Sequence, residues 1–282
     1  MLTDLRSILA LAEEKGCAIP AFNCYTQECV MGVLEAAKET GAPVIFQMFS
    51  RLADTNDGNF VAPAILEAIR QLPQPAVMHL DHGAGIPEVV RAIRLGMTGV
   101  MIDASTLPLE ENIATTKLAA ELCGYVGVPV EGELGHVGAT KDEVLGNYTD
   151  VAEAERFVKE TGVSALAVMV GTAHGRYKKA PVLDIQRIRD IREATGKLPL
   201  VLHGGSGVPD EQIRMAVEAG IRKVNFATDL CYAFLDQVMV TERTTVALDV
   251  FMREPIHAIR DYCIGKIRLD RKSTRLNSSH LS

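Results

Sequence analysis

Short apolar runs and amphipathic segments alternate along almost the whole chain. The apolar runs stop at glycine, proline or polar residues, which is typical of strands buried on both faces of a parallel sheet. Eight such runs predict strands over 17–23, 44–49, 75–80, 99–102, 128–133, 165–170, 198–202 and 221–226. The segments between them repeat apolar side chains every three or four residues and predict helices over 27–40, 59–71, 86–95, 109–123, 151–160, 183–194 and 210–219.

This alternation continues without a linker, so it predicts one domain. Eight strands that each lead into a helix fit a single (β/α)8 TIM barrel of the α/β class. An open, doubly wound sheet is the alternative, but no G-x-G-x-x-G motif follows the first strand. Helical apolar spacing ends at Ile267, which gives a barrel over 1–267. Residues 268–282 are rich in serine and arginine, and we expect them to be an appended or disordered tail.

Composition and charge narrow the range of partners. Of the 282 residues, 48% are hydrophobic and the formal net charge is −7, so a basic nucleic-acid-binding surface is not expected. The N-terminus lacks the basic start and apolar core of a signal peptide, and no apolar run is long enough to span a bilayer. The six cysteines include no C-x-x-C pair and lie mostly in apolar runs. We therefore expect a cytoplasmic protein with reduced cysteines and no membrane partner.

Histidines and carboxylates lie where the predicted strands end. Because the carboxyl ends of barrel strands form the active-site face, side chains after different strands would meet there. The third to seventh strands end, in order, at Asp81 and His82, at Asp103, at Glu131 and Glu133, at His174 and at His203. One such histidine alone is usually structural, but three that each precede a glycine predict a metal site. Three imidazoles suit a catalytic zinc with one open position, and Asp81 could move a proton beside it.

The other histidines in the barrel have different expected places. His79 lies inside the third strand and is expected in the core. His136 follows the fifth strand and is either an ordinary loop residue or a neighbour of the site.

Candidate phosphate-binding segments lie at the ends of the sixth, seventh and eighth strands. Gly204, Gly205, Ser206 and Gly207 form a turn before a predicted helix, Asn225, Phe226, Ala227 and Thr228 follow the eighth strand, and Gly175 follows His174. Backbone N–H groups at helix N-termini bind phosphate, and barrels often hold phosphate after strands seven and eight. The alternative is that Ser206 and Thr228 only cap the helices that they precede.

Six motifs together resemble the class II, zinc-dependent fructose- and tagatose-bisphosphate aldolases. They are LDHG at 80–83, DAS at 103–105, EGELG at 131–135, GTAHGRYK at 171–178, HGGSG at 203–207 and KVNFATDL at 223–230. The resemblance covers about residues 5–266, and its motifs occur in the family's order. The N-x-A-T form at 225–228 is more similar to the tagatose-type branch than to the fructose-type branch.

The resemblance implies a (β/α)8 barrel that reversibly cleaves a ketose 1,6-bisphosphate. The products would be dihydroxyacetone phosphate and an aldehyde such as glyceraldehyde 3-phosphate. It implies that zinc is held by His82, His174 and His203, with Asp103 and Glu133 at a second or alternative metal position and a monovalent cation nearby. Asp81 would exchange a proton with the C4 hydroxyl, and a homodimer or homotetramer would be the assembly. Dihydroxyacetone phosphate would be held by Gly175, Gly204, Gly205, Ser206, Asn225, Phe226, Ala227 and Thr228.

Two segments depart from the family pattern. Relatives carry a glutamate in the loop after the ELG motif that removes the carbon-bound proton, whereas Lys141 stands in that place here, followed by Asp142 and Glu143. The segment after the second strand contains Arg51 where relatives have a smaller, glycine-bearing segment. Arg51 is either a donor to a substrate acid or phosphate, or a surface charge.

Two other functions remain alternatives on the same barrel. One is a metal-dependent hydrolase in which Asp81 activates a metal-bound water. The other is a non-catalytic sugar-phosphate-binding protein, which the lysine at position 141 favours. A Schiff-base mechanism is disfavoured because no lysine lies at a predicted strand end before Lys141.

Overall fold

Eight parallel strands form a closed barrel in a computed structural model that describes residues 1–138 and 148–269. Each strand pairs with its sequence neighbours, and β1 closes the barrel by pairing with β8. The strands are β1 (Ile19–Asn23), β2 (Val44–Phe49), β3 (Ala76–Gly83), β4 (Gly99–Ile102), β5 (Val130–Leu134), β6 (Ala165–Val168), β7 (Leu200–Leu202) and β8 (Ile221–Phe226). The predicted single (β/α)8 barrel is confirmed.

Twelve helices accompany the strands in the described residues. They are α1 (Leu5–Lys15), α2 (Gln27–Thr40), α3 (Ser50–Ala53), α4 (Gly58–Arg70), α5 (Ile86–Arg94), α6 (Leu109–Gly124), α7 (Val151–Thr161), α8 (Ile185–Ala194), α9 (Asp210–Ala219), α10 (Thr228–Val240), α11 (Leu248–Phe251) and α12 (Arg253–Leu269). The helices α2 to α9 lie between successive strands, α1 precedes β1, and α10 to α12 follow β8. α12 ends two residues beyond the predicted end of the barrel, and Leu269 is buried. The expectation for the rest of the tail lies outside the described residues and stays a prediction.

Three strands begin two residues later than predicted, because the apolar residues before them close the preceding helices. The backbone N–H of Cys17 donates to Ala12 O (3.0 Å), and that of Val128 donates to Cys123 O (3.0 Å). β6 ends two residues early, because Met169 N donates to the Thr149 hydroxyl (2.8 Å) and not to a neighbouring strand. Local hydrogen bonds therefore take apolar residues out of the ladder without exposing them.

The interior of the barrel is apolar at one end and polar at the other. Near the amino ends of the strands, α1 closes the barrel against small and branched side chains, namely Ile19, Ala21, Ile45, Val77, Ala165, Ala167 and Val201. Farther along the same strands, fully buried polar side chains replace them, namely Gln47, His79, Glu131 and Lys223. Side chains alternate between the two faces of a strand, so every second residue points into the barrel. The next inward-pointing residues after this polar layer therefore lie at the active-site face.

The cysteines and the helices of the described residues have two further features. Every cysteine is free, and all but the half-buried Cys231 are buried. Within residues 1–138 and 148–269, no helix combines the length and the apolar character needed to cross a bilayer.

Candidate active site and metal centre

A cavity of about 450 Å³ lies at the carboxyl ends of the strands. Its lining unites most of the predicted site residues, namely Asp81, His82, Asp103, His174, Gly175, Gly204, Ser206, Asn225, Ala227 and Thr228. The other four predicted residues, Glu133, His203, Gly205 and Phe226, lie outside this lining. Glu133 and His203 are fully buried, and the Phe226 ring packs in the core against Phe22 at 5.8 Å between centroids. Only the backbone of Phe226 is therefore well placed to meet a ligand.

An irregularity in β3 directs two consecutive side chains into this cavity. In a regular strand Asp81 and His82 would point to opposite faces. The pairing of β3 with β4 shifts register between Leu80 and Gly83, and His82 has a φ of 53°. This left-handed conformation is rare for residues other than glycine and is found mostly where function requires it. Both side chains consequently line the same cavity.

The three predicted zinc ligands converge. The His82 ring centroid lies 5.0 Å from that of His174 and 4.7 Å from that of His203, and the remaining pair is 5.9 Å apart. One ring nitrogen from each histidine lies within 4.8 Å of the other two. His82 Nε2 and His203 Nδ1 are only 3.0 Å apart, and the buried His174 Nε2 has no hydrogen-bond partner within the described residues.

The hydrogen bonds of these rings leave unprotonated nitrogens facing one another. His82 Nδ1 lies 2.7 Å from Asp103 Oδ2, and His203 Nε2 lies 2.9 Å from Glu131 Oε1, so both of these nitrogens donate. In the neutral tautomers the lone pairs of His82 Nε2 and His203 Nδ1 then oppose each other, which requires a proton or a metal cation between them. Together with the unpartnered nitrogen of His174, this arrangement fits a cation with three nitrogen ligands.

The charges around the metal centre favour a cation. Burial acts to lower the pKa of His82, but the carboxylates of Asp81, Asp103 and Glu133 outweigh it and raise the pKa to about 10. Burial and the charge on His82 lower the pKa of His174 to about 4. Burial and the neighbouring Asp103 raise the pKa of Glu133 to about 8. The same carboxylates that raise the pKa of His82 would also favour a metal cation bound beside it.

Asp103 and Glu133 form a second potential ligand group with His82. One ligand atom from each of the three lies within 4.8 Å of the others. The buried Glu133 Oε2 has no hydrogen-bond partner among the described residues, while Ser105 Oγ donates to Asp103 Oδ1 (2.6 Å). The geometry thus agrees with the expected alternative metal position, which stays a prediction.

A buried ionic network in the barrel interior contacts His203. Lys223 Nζ lies 2.8 Å from Glu131 Oε2, and both side chains are fully buried. The other oxygen of Glu131 accepts from His203, and the equally buried His79 lies 3.5 Å from Glu131. A carboxylate behind a ligand histidine sets its tautomer and orientation. Sequence reasoning gave Lys223 no role, although Lys223 begins the KVNFATDL motif and places a charge inside the apolar run of β8.

Two amides hold Asp81. Asn23 Nδ2, at the end of β1, donates to Asp81 Oδ2 (2.7 Å), and Asn225 Nδ2 donates to Asp81 Oδ1 (3.2 Å). Burial opposes ionisation, but the charges of His82 and His203 hold the pKa of Asp81 below its usual range. Sequence reasoning did not identify Asn23, because a single asparagine after a strand is common in turns.

The turn after β7 requires glycine and lies against the loop after β6. Gly204 has a φ of 63°, and a Cβ there would collide with Ala173 O. The Tyr177 hydroxyl accepts from Ala173 N (2.7 Å) and lies 3.0 Å from Gly204 O, so it ties the two loops together. The expectation that Ser206 caps the helix that it precedes is wrong, because α9 has no side-chain cap. Ser206 Oγ instead accepts from Ala227 N (3.3 Å) and Asp229 N (3.2 Å) at the start of α10.

The loop after β5 is described only in part. His136 lines the cavity, and its Nδ1 lies 3.0 Å from Ser105 Oγ, so it is a neighbour of the site rather than an ordinary loop residue. Lys141, Asp142 and Glu143 lie outside the described residues. The structure therefore does not assign the group that moves the carbon-bound proton.

Known proteins resemble this chain in sequence and in fold. Residues 3–275 match the family model described as class-II fructose-bisphosphate aldolase. The chain belongs to this family. Among the aldolases that it resembles, a probable fructose-bisphosphate aldolase of Bacillus subtilis is 38% identical over 81% of this chain and 82% of its own length. A 6-phospho-5-dehydro-2-deoxy-D-gluconate aldolase of Bacillus velezensis is 39% identical over 83% of this chain and 82% of its own length.

Solved class II aldolases agree with this assignment. The crystal structure of the YdjI aldolase from Escherichia coli K12 superimposes with a TM-score of 0.86 at 34% identity, over 95% of this chain and 97% of that one. The chain is accordingly an aldolase, a carbon–carbon lyase, and the class II family is generally metal-dependent.

Proposed function

We propose that this aldolase uses zinc to cleave a ketose 1,6-bisphosphate reversibly into dihydroxyacetone phosphate and an aldehyde such as glyceraldehyde 3-phosphate. The observation that carries the proposal is the juxtaposition of three ligand-ready imidazoles with Asp81 in one cavity. An all-nitrogen set of three ligands suits zinc better than magnesium or calcium, which prefer oxygen.

Asp81 is the proposed proton carrier for the C4 hydroxyl. Asn23 and Asn225 donate to opposite oxygens of its carboxylate, which holds the group in one orientation while leaving lone pairs for a proton. A divalent cation bound beside it supplies Lewis-acid stabilisation of the enediolate charge that develops as the C3–C4 bond breaks.

The glycine turns after β6 and β7 are the proposed binding site for the phosphate of dihydroxyacetone phosphate. Gly175, with a φ of 113°, and Gly204 allow the backbone to approach a ligand closely. The N-terminus of α10 faces the same cavity through Ala227 and Thr228, and backbone amides there attract anions. The relatives named above act, by their names, on a fructose bisphosphate and on a phospho-gluconate, and both substrates carry a phosphate.

A substrate panel with metal exchange tests the proposal. Purified protein should contain zinc, and it should release dihydroxyacetone phosphate from fructose or tagatose 1,6-bisphosphate. Chelation should abolish cleavage, and added zinc should restore it while added magnesium should not. Retained activity after complete chelation would refute the metal role. Phosphate release without dihydroxyacetone phosphate would favour the hydrolase alternative, and binding without turnover the non-catalytic one.

A further inference from the structure

A second cavity adjoins the metal-site cavity, and we call it the outer cavity. It encloses about 510 Å³ and lies mainly between the loop after β1 and helix α10. Tyr25, Ala227 and Thr228 line both cavities, so they form a shared wall. The outer cavity is therefore next to the place where a substrate would bind the candidate metal centre.

Arg51 is the single lysine or arginine among the described residues that line the two cavities. The metal-site cavity contributes the carboxylates of Asp81 and Asp103, and the chain has a net charge of −7. The overall field therefore repels anions, and an anionic group in the outer cavity would need a local cation. Arg51 is such a cation, and it lies at the active-site face of the barrel.

The position of Arg51 is structurally supported. It lies in α3, which follows β2 directly at the active-site face. Arg91, from α5, ties this segment down, because its Nη2 donates to Thr55 O (3.0 Å) and its Nε donates to Ala53 O. The backbone that carries Arg51 is thereby held against the barrel.

The Phe49 ring lies near both Arg51 and the candidate metal centre. The Arg51 guanidinium carbon is 5.8 Å from the centre of the Phe49 ring, and that ring is 5.7 Å from the His82 ring. The guanidinium therefore lies no farther from His82 than the sum of these two distances, which is comparable with the length of an extended sugar phosphate. The stacked ring also orients the guanidinium.

The donors of Arg51 are available to a ligand. The side chain is exposed, and it forms no ion pair with a carboxylate within residues 1–138 and 148–269. By contrast Arg176, on the neighbouring loop, packs closely over the Tyr232 ring at 3.6 Å. A free guanidinium presents paired N–H groups that match the two oxygens of a carboxylate or phosphate.

We propose that Arg51 binds a terminal oxyanion on the aldehyde half of the substrate and so selects anionic over neutral aldehydes. The inference rests on the proposed aldol reaction, because it concerns the half of the substrate that becomes the aldehyde. A carboxylate and a phosphate share the required chemistry, and the test separates them.

The test measures aldol addition of dihydroxyacetone phosphate to matched aldehydes by the zinc-loaded enzyme. The carboxylate arm uses ω-oxo acids of increasing chain length, each paired with the neutral aldehyde of the same length. The phosphate arm pairs glyceraldehyde 3-phosphate with glyceraldehyde. The variants are Arg51→Gln, Arg51→Lys and the control Arg94→Gln, which removes the same charge from an exposed site on α5.

In Arg51→Gln, kcat/KM for the anionic aldehydes should fall roughly 10- to 100-fold, mainly through KM, as expected for one lost charge-assisted contact. Neutral aldehydes should be unaffected, Arg51→Lys should be intermediate, and Arg94→Gln should match wild type. A selective loss in one arm identifies that anion. An equal fall in kcat/KM for neutral and anionic aldehydes, or no fall, would overturn the role of Arg51 but leave the proposed aldol reaction in place. No addition by wild-type enzyme with any aldehyde would overturn the proposed function and this inference with it.

Discussion

The buried pair of Lys223 and Glu131 provides a quantitative test of how the site is supported. Lys223→Met removes the ammonium and leaves a carboxylate that is fully buried, with His203 as its remaining close donor. Removal of one partner of a buried pair typically costs about 3–5 kcal/mol, because the other charge stays desolvated. We expect the lower end of this range, since His203 Nε2 lies 2.9 Å from the carboxylate and still donates to it.

The double variant Glu131→Gln with Lys223→Met separates charge from packing. Both groups are then neutral, and the Gln amide oxygen can still accept from His203. We expect the double variant to be more stable than Lys223→Met by about 2 kcal/mol, because no uncompensated charge stays buried. A matched control is Lys266→Met, which breaks a partly exposed pair with Asp210 at 3.0 Å and should cost less than about 1 kcal/mol.

Urea unfolding of chelator-treated protein, followed by circular dichroism, gives these free energies. A competition assay for zinc adds a second measurement on Glu131→Leu with Lys223→Met, in which His203 loses its carboxylate acceptor. Loss of such a partner weakens metal affinity by about tenfold or more. The reasoning would be refuted if Lys223→Met lowered the free energy of unfolding no more than Lys266→Met does. It would also be refuted if Glu131→Gln with Lys223→Met were as unstable as Lys223→Met.

Three further predictions concern the site and the fold. Asp81→Asn should lower kcat by about 10²- to 10⁴-fold with unchanged zinc content, and near-normal cleavage would exclude Asp81 as the proton carrier. Gly204→Ala should destabilise the protein and weaken binding of dihydroxyacetone phosphate, because the added Cβ meets Ala173 O. The control Gly196→Ala has a similar φ of 65° but open space around its Cβ, so thermal unfolding should show only the backbone cost of about 1–2 kcal/mol. Glu13→Gln should cost about 1 kcal/mol at neutral pH after allowance for solvent screening. Burial opposes ionisation of Glu13, but hydrogen bonds from two arginines lower its pKa. Its contribution is thus present above the unfolded-state pKa and lost as pH falls through the folded-state pKa, so denaturation curves of the two proteins should converge in acid.

The elements of the barrel were predictable because their signals are local. Buried parallel strands are continuous apolar runs, and the helices between them repeat apolar residues with helical spacing. The ends of several strands moved by about two residues, because hydrogen bonds such as that from Cys17 N to Ala12 O depend on helix ends rather than on hydrophobicity. The short helix α3, which carries Arg51, has no periodic signal of its own.

The residue types of the site were also predictable, since histidines and carboxylates after several strands of a barrel must share one face. Their partners were not. Asn23 meets Asp81 only because β1 and β3 lie near each other around the barrel, and Lys223 meets Glu131 across its interior, 92 residues away in sequence. No local pattern encodes which inward-facing side chains oppose each other.

The sequence by itself determined the fold and the family of this aldolase, and it predicted the three histidines and Asp81 as site residues, because each follows from local periodicity or from contiguous motifs. Tertiary structure alone decided how those residues act together. In a regular strand Asp81 and His82 would point to opposite sides, and the register shift of β3 with the left-handed backbone of His82 brings both into one cavity. The pairing of β3 with its neighbours and the contact between His82 and Asp103 restrain this conformation.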